Sequence, residues 1–238
     1  ERAARSGHAS FAVGFAGYAH SGFTKATLRG AEFVAATTAR ARIEAAYELA
    51  QTHPGSLVYC YLPEVDKAGH KHGIASAEWV AALEDVDAAL STRVPPGVGV
   101  VVTSDHGMVD VAPNRQVVLE ETHLEGIRHV GGEPRMLHAY LEPEADAAAV
   151  TARWRADLEG VADVVTRDEA VHAGLFGPTV TEAASSRIGD VLAIARGTWA
   201  IYDGTAADQR GRGMVGQHGA LTPEERQVPV IRLGAFSR

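Results

Sequence analysis

The chain has 238 residues, of which 46% are hydrophobic and 22% are charged, and its formal net charge at pH 7 is -8. A chain of this size and composition buries a full core, and its negative charge excludes the basic footprint with which proteins bind nucleic acid through its phosphates. No apolar run approaches the roughly 20 residues that span a bilayer, and the single cysteine, Cys60, excludes a disulfide within the chain.

Strands and helices alternate along the first half of the chain, as the spacing of the apolar residues indicates. In chain order we predict a strand over 10–15, a loop rich in glycine, histidine and serine over 16–24, a helix over 32–53, a strand over 56–62, a helix over 76–90 and a strand over 98–104. Ser76 is the expected N-cap of the second helix. Because a long helical connection joins the strands at 56–62 and 98–104, we expect them to form a parallel pair.

Beyond Asp110 the predicted elements become shorter and more mixed. We predict strands over 117–119, 135–141 and 161–166, helices over 144–158 and 168–173, and a hairpin of strands at 190–195 and 199–203. This run indicates a small α+β insert over residues 124–204. The core α/β part then consists of residues 1–123 and 205–238, with the main sheet resuming near 228–233.

Carboxylates and imidazoles stand where the apolar strands of the core end. Three segments carry them: a polar loop after the strand at 56–62 with Asp66 and His70, the end of the strand at 98–104 with Asp105 and His106, and the sequence Gly-Gln-His-Gly with His218. Ligands bind outside the carboxyl ends of parallel strands in open α/β sheets. Carboxylate oxygens and neutral imidazole nitrogens suit zinc and similar divalent metals. We therefore expect the three segments to converge on one or two metal ions.

Each motif taken alone has an ordinary explanation. Asp66 is then a cap and His70 a solvated turn residue, the Asp-His pair is a common turn sequence, and a glycine-flanked histidine is a plain loop. The three motifs together, two of them at equivalent strand ends, favour the metal site. We expect His72, His123, His129 and His138 to be surface or packing residues, and of these four only His72 is near enough in sequence to support a ligand.

Three runs, in this order, resemble the signature of the nucleotide pyrophosphatase/phosphodiesterase family of the alkaline phosphatase superfamily: Tyr61-Leu-Pro-Glu-Val-Asp66-Lys-Ala-Gly-His70-Lys-His72-Gly73, Thr103-Ser-Asp105-His106-Gly107-Met108, and His218-Gly219. The resemblance implies an α/β fold, an alkaline-phosphatase-like sandwich with a mostly parallel central sheet. It also implies two divalent metal ions, with zinc as the expected metal, and a small-molecule phosphodiester or nucleotide substrate. By this resemblance Asp66, His70 and His218 hold one ion, while Asp105 and His106 help to hold the other.

The family's nucleophile is a Thr or Ser at the start of a helix, and its remaining metal ligand is an aspartate on an earlier strand. We expect both to precede residue 1, which would leave this chain catalytically incomplete by itself. Thr24 offers a hydroxyl, but no pattern marks its segment as the start of a helix backed by a strand, so we do not expect it to be the nucleophile.

Alternatives within the superfamily are a phosphomonoesterase and a phosphonate hydrolase. A cofactor-independent phosphoglycerate mutase fits less well because it would use manganese and a longer insert, and a sulfatase because it would need a modified Cys or Ser. A non-catalytic, metal-stabilised domain is the alternative from a different class. The single cysteine and the absence of a signal peptide in these residues favour a cytoplasmic location, and the sequence leaves the oligomeric state open.

Overall fold

A computed structural model describes residues 2–237 of the chain. The helices, in chain order, are α1 (Arg2–Arg5), α2 (Gly22–Thr27), α3 (Ala39–Thr52), α4 (Glu64–His72), α5 (Ala77–Leu90), α6 (Ala147–Asp157), α7 (Arg167–His172), α8 (Glu182–Ser185) and α9 (Pro223–Arg226). The strands are β1 (Ser10–Gly14), β2 (Glu32–Ala35), β3 (Leu57–Cys60), β4 (Gly99–Thr103), β5 (Val109–Asp110), β6 (Gln116–Leu119), β7 (Ile127–Glu133), β8 (Met136–Leu141), β9 (Ala162–Thr166), β10 (Val191–Ala195), β11 (Ala200–Asp203), β12 (Gly216–Gln217) and β13 (Val230–Gly234).

The described residues divide into two compact units. Unit 1 consists of residues 2–68, Ala75–Ser104 and 229–237, and unit 2 of Gly69–Ile74 and Asp105–Val228. The predicted insert, 124–204, lies wholly within the second part of unit 2, and its role as an insert stays a prediction. None of the helices in the described part of the chain is long and apolar enough to cross a membrane.

Unit 1 is built on a parallel sheet of three strands in the order β2-β1-β3, together with an antiparallel pair of β4 and β13. The central strand β1 is apolar and buried, since Phe11, Ala12 and Val13 are all nearly inaccessible. A small core joins Ile43 and Tyr47 of α3 to Ala89 of α5, and Cys60 of β3 and Val100 of β4 pack against it. This arrangement confirms the predicted α/β class.

Two predictions within unit 1 are wrong. The helix expected over 32–53 is split, because the apolar, partly β-branched sequence at Glu32–Ala35 pairs with β1 and the helix begins only after Thr38. The hydroxyl of Thr38 accepts a hydrogen bond from the Ala41 amide, as an N-cap does. The expected parallel pair of β3 and β4 is not among the ladders of the described residues, since β3 pairs with β1 and β4 with β13.

Two segments predicted as loops contain helices. Residues 16–24 form a 3-10 turn at Ala16–Tyr18 and the start of α2, whose N-cap is Ser21. The polar segment after β3 is α4, which follows Pro63 directly and has acidic residues in its first turn and basic residues in its last. A proline at the start and this distribution of charge both favour a helix, so the local signals for α4 were present in the sequence.

Unit 2 contains an antiparallel sheet of four strands in the order β7-β8-β10-β9. Trp154 of α6 is fully buried in its core with Leu119, Val191 and Ile201. The hairpin predicted from β10 and β11 is wrong. Strand β10 is buried along its whole length between β8 and β9, so no edge is left for β11, which pairs in parallel with β6.

Candidate metal centre

Three segments of unit 2 meet where the short strands β5 and β12 pair. The two strands are antiparallel, with Gly216 opposite Asp110 and Gln217 opposite Val109. His106 lies three residues before β5, and His218 follows β12 directly. This register therefore brings together two histidines that are more than a hundred residues apart in the sequence.

His70 joins the same place through the last turns of α4. Its backbone carbonyl accepts a hydrogen bond of 2.8 Å from the Val215 amide. Its ring Nδ1 lies 2.8 Å from the carbonyl oxygen of Gly216. The segment leading into β12 is thus fixed to His70 by both backbone and side chain.

The three imidazole rings and one carboxylate form a cluster within unit 2. The His106 and His218 rings are stacked with centroids 3.5 Å apart, and the His70 and His218 centroids are 5.1 Å apart. His106 and His218 offer ligand atoms within 4.8 Å of one another. Asp105 places Oδ1 3.7 Å from Nε2 of His106, and its own side chain is 85% exposed. Four of the five predicted ligands are therefore close together in one unit.

The hydrogen bonds of the histidines fit a metal site. A carbonyl oxygen only accepts, so Nδ1 of His70 carries a proton and donates to Gly216. His106 makes the same kind of bond, 2.8 Å from Nδ1 to the Gly107 carbonyl. In the neutral form of either ring, the lone pair is then on Nε2. A backbone carbonyl behind the other ring nitrogen is the usual arrangement for a metal-ligating histidine.

Glycines beside the histidines permit the close approach of these segments. A Cβ on Gly107 would lie 1.9 Å from the backbone oxygen of Glu224, and a Cβ on Gly216 would lie 2.5 Å from the backbone oxygen of Gly69. Both separations are shorter than real Cβ contacts. The glycines that flank the ligands in sequence are therefore required by packing.

Two acidic residues that the sequence did not single out make hydrogen bonds to the segments that carry the cluster. The carboxylate of Asp110 accepts a 2.9 Å hydrogen bond from the Ile74 amide, which ties the end of the α4 segment to β5. Glu225 is 3% exposed and pairs with the fully buried Arg135. Burial opposes ionisation of Glu225, but hydrogen bonds from Arg135, Thr222 and the Ala220 amide outweigh it and hold the pKa of this carboxyl below its usual value.

Asp66, the fifth predicted ligand, lies in the first turn of α4 and belongs to unit 1. The expectation that Asp66 and His70 lie in a loop is wrong, because both are on this helix. They are separated by one helical turn, so their side chains project from the same side of α4. The part of Asp66 in the ligand set stays a prediction.

Three other residues, Glu64, Thr24 and His138, have defined surroundings. Glu64 forms an ion pair with the fully buried Arg42, which gives it a structural role in unit 1. Thr24 lies in α2, where its amide and hydroxyl both bond the hydroxyl of Ser21. A helix does begin in this segment, with Ser21 as its N-cap, and the expectation that Thr24 is not the nucleophile stays a prediction. His138 accepts a hydrogen bond from the Gly189 amide, as a packing residue does.

Solved structures share this fold over nearly the whole chain. Murine ectonucleotide pyrophosphatase/phosphodiesterase 5, an inactive variant in complex with AMP, matches with a TM-score of 0.67 and 18% identity, covering 97% of this chain and 61% of that one. Its human counterpart matches with a TM-score of 0.67 and 16% identity, covering 98% and 62%. Phosphonoacetate hydrolase from Sinorhizobium meliloti, in complex with phosphonoacetate, matches with a TM-score of 0.68 and 19% identity, covering 96% and 66%.

These likenesses define the class of the fold, an alkaline-phosphatase-like α/β protein. The described chain spans about three fifths of the length of the ectonucleotide pyrophosphatases, at 61% and 62%. A search of the curated proteins found no match. Residues 9–221 match the type I phosphodiesterase / nucleotide pyrophosphatase family, and the chain belongs to this family. The family is generally metal-dependent.

Proposed function

We propose that this protein is a hydrolase of phosphodiester or pyrophosphate bonds in small nucleotide-type substrates, and that its site holds two divalent metal ions, with zinc as the expected metal. The observation that carries the proposal is the cluster of His70, His106, His218 and Asp105 in a member of this family. Imidazole nitrogens and carboxylate oxygens together suit zinc.

The proposed ligands divide into two sets. Asp66, His70 and His218 are assigned to one ion, and Asp105 and His106 to the other. The spacing of Asp66 and His70 on α4 supports the first set, because residues four apart share a helix face. The 3.7 Å approach of the Asp105 carboxylate to the His106 ring supports the second.

The residues of this chain prepare the site in two ways. The Gly216 and Gly107 carbonyls fix the orientation and the tautomer of His70 and His106, which keeps Nε2 of each ring as the ligand atom. The exposed carboxylate of Asp105 keeps negative charge where cations would bind. Bound divalent ions would supply Lewis acidity toward a phosphoryl oxygen and lower the pKa of a hydroxyl nucleophile. The nucleophile itself is proposed to be a Thr or Ser outside these residues.

A phosphonate hydrolase is the second candidate. The observation in its favour is that the S. meliloti phosphonoacetate hydrolase shares the fold over 96% of this chain. The ectonucleotide pyrophosphatases share it equally well, so the choice between the two depends on substrate tests.

Metal analysis tests the ligand assignment directly. We expect purified wild-type protein, loaded with Zn²⁺ and freed of excess metal, to retain zinc, and His70→Ala and His218→Ala to lose most of it. His172→Ala is a matched control, because His172 is an exposed histidine at the end of α7 in unit 2. Equal zinc in wild type, His70→Ala and His218→Ala would overturn the assignment.

Activity assays test the reaction. In a protein that includes the proposed Thr or Ser nucleophile, we expect turnover of bis(p-nitrophenyl) phosphate that is abolished by chelation and by His218→Ala. Phosphonoacetate turnover without diester turnover would favour the second candidate. We expect this chain alone to show little diester turnover. Robust turnover that disappeared in Thr24→Ala would contradict both the placement of the nucleophile outside these residues and our exclusion of Thr24.

A further inference from the structure

We propose that the buried ion pair of Arg135 and Glu225 positions the His106 and His218 segments, so that its loss weakens metal binding beyond what lost stability explains. The inference rests on the proposed metal centre and adds two positioning residues to it.

Arg135 and Glu225 are both buried, and the guanidinium is aligned with the carboxylate for two hydrogen bonds. Arg135 is fully buried and Glu225 is 3% exposed. The guanidinium donates two parallel hydrogen bonds to the carboxylate, 3.0 Å from Nε to Oε1 and 2.7 Å from Nη2 to Oε2. Arg135 also donates from Nη1 to the Trp199 carbonyl, which anchors it beside β11. A bidentate pair of this kind fixes direction as well as distance.

Glu225 is bonded to both histidine segments. Its carboxylate Oε1 accepts a 3.0 Å hydrogen bond from the amide of Ala220, two residues after His218. Its backbone carbonyl accepts a 2.8 Å hydrogen bond from the amide of Gly107, the residue after His106. One residue therefore connects the two segments whose imidazole rings are stacked with centroids 3.5 Å apart.

The carboxylate is also saturated with donors. Oε1 accepts from Arg135 and Ala220, and Oε2 accepts from Arg135 and the Thr222 hydroxyl, 2.7 Å away. A carboxylate offers about four lone-pair sites, so all of them are used. An amide at this position would place an NH₂ group against two donors. Glu225→Gln therefore breaks the network with almost no change in side-chain volume.

A purely structural role would make a different prediction. Buried ion pairs often add little net stability compared with well-packed apolar groups. If the pair only stabilised the fold, its loss would lower the unfolding temperature and leave the affinity of the folded protein for metal unchanged. If it positions the ligands, the affinity of the folded protein falls as well.

The experiment measures metal affinity and stability side by side. Zn²⁺ titration by calorimetry and the visible absorption of bound Co²⁺ are recorded for wild type, His218→Ala, Glu225→Gln and Asp190→Asn. Asp190→Asn is the matched control. Asp190 lies in the same unit, forms an ion pair with Arg167 at 2.7 Å and accepts a hydrogen bond of 2.9 Å from the Leu141 amide. The unfolding temperature of each protein is measured without metal.

We expect Glu225→Gln to bind Zn²⁺ about 10–100-fold more weakly than wild type, the range typical of residues that orient metal ligands. Its Co²⁺ spectrum should also change in shape. Asp190→Asn should be destabilised yet keep wild-type affinity and spectrum. Thr222→Val removes only one of the four hydrogen bonds to the carboxylate, and it should weaken binding less, which provides a test if Glu225→Gln does not fold.

The outcomes separate the two proposals. Equal binding by wild type and His218→Ala would overturn the proposed metal centre. Binding that requires His218 but has wild-type affinity in Thr222→Val, and in Glu225→Gln where it folds, would overturn the positioning role alone. Equal weakening in Asp190→Asn and Glu225→Gln would also overturn it, because any loss of an ion pair would then have the same effect.

Discussion

Replacing Gly107 with alanine tests the packing beneath the His106 segment. The new methyl group would lie 1.9 Å from the backbone oxygen of Glu224, whereas Cβ contacts under 3.0 Å essentially never occur. The His106 segment and α9 must therefore move apart by more than about 1 Å. Because the obstacle is backbone, rotation of a side chain does not relieve it.

The cost of Gly107→Ala has two parts. Forcing a methyl group into a packed site typically costs about 1–3 kcal/mol. The 2.8 Å hydrogen bond from the Gly107 amide to the Glu225 carbonyl would lengthen beyond bonding distance, which costs about 1 kcal/mol more. We therefore expect a loss of about 2–4 kcal/mol in the free energy of unfolding. For a protein of this length that corresponds to a melting temperature lower by roughly 4–16 °C.

Thermal and urea unfolding of the metal-free protein, followed by circular dichroism, measure this loss. Gly213→Ala is the control, since Gly213 lies in unit 2 and its added Cβ would meet nothing within 4 Å. That substitution should change the free energy of unfolding by less than about 0.5 kcal/mol. If Gly107→Ala unfolded at the same temperature as Gly213→Ala, the close approach of the two segments would be refuted.

Three further predictions concern buried charge and the lone thiol. Arg135→Met should lower the free energy of unfolding by about 3–5 kcal/mol, because it leaves the Glu225 carboxylate buried without its cation. Arg210→Met is the control. Because Arg210 pairs with Asp208 on the surface, this substitution should change the free energy of unfolding by less than about 1 kcal/mol. Hydrogen bonds from Arg135, Thr222 and the Ala220 amide hold the pKa of Glu225 below its usual value against the effect of burial. Its stabilisation is therefore complete above the pKa of the unfolded chain and is lost as the pH falls through the folded pKa. The stability advantage of wild type over Glu225→Gln should thus shrink as the pH falls below the usual pKa of a glutamate, and an advantage independent of pH would contradict the sign of this shift. Burial raises the pKa of Cys60 to about 11, so the native thiol should react with a disulfide reagent far more slowly than the unfolded chain does.

The sequence predicted the parts of the fold that depend on local pattern. The Ser76 cap and the helix after it are confirmed, as are the apolar strands β3 and β4, because capping and runs of β-branched residues act within a few residues. Strand pairing was less predictable. Strand β10 pairs with β8 and β9, which precede it along the chain. The predicted hairpin instead paired β10 with β11, because β11 is the next strand along the chain.

The convergence of the histidines was predictable, but the residues that hold them were not. His106 and His218 carry a recognisable pattern, whereas Glu225 stands in Thr-Pro-Glu-Glu, which reads as an ordinary capping box at a helix start. Its partner Arg135 is ninety residues earlier. No local signal separates a solvated capping glutamate from one that is buried and paired, so only the packed structure distinguishes them.

The candidate site has a small apolar cluster and polar contacts of its own, distinct from the main apolar core around Trp154. β5 and β12 are two residues long, too short to be stable by strand pairing alone. They are also fixed by an apolar cluster of Val109, Val111, Ala200 and Tyr202, and by buried polar groups such as Gln217, whose amide donates to the Tyr202 hydroxyl at 3.2 Å. The core around Trp154 is apolar and belongs to the four-stranded sheet. A cavity made there, as in Trp154→Phe, should therefore lower stability while the folded fraction keeps its metal affinity. Glu225→Gln in the polar network should instead lower the metal affinity of the folded protein.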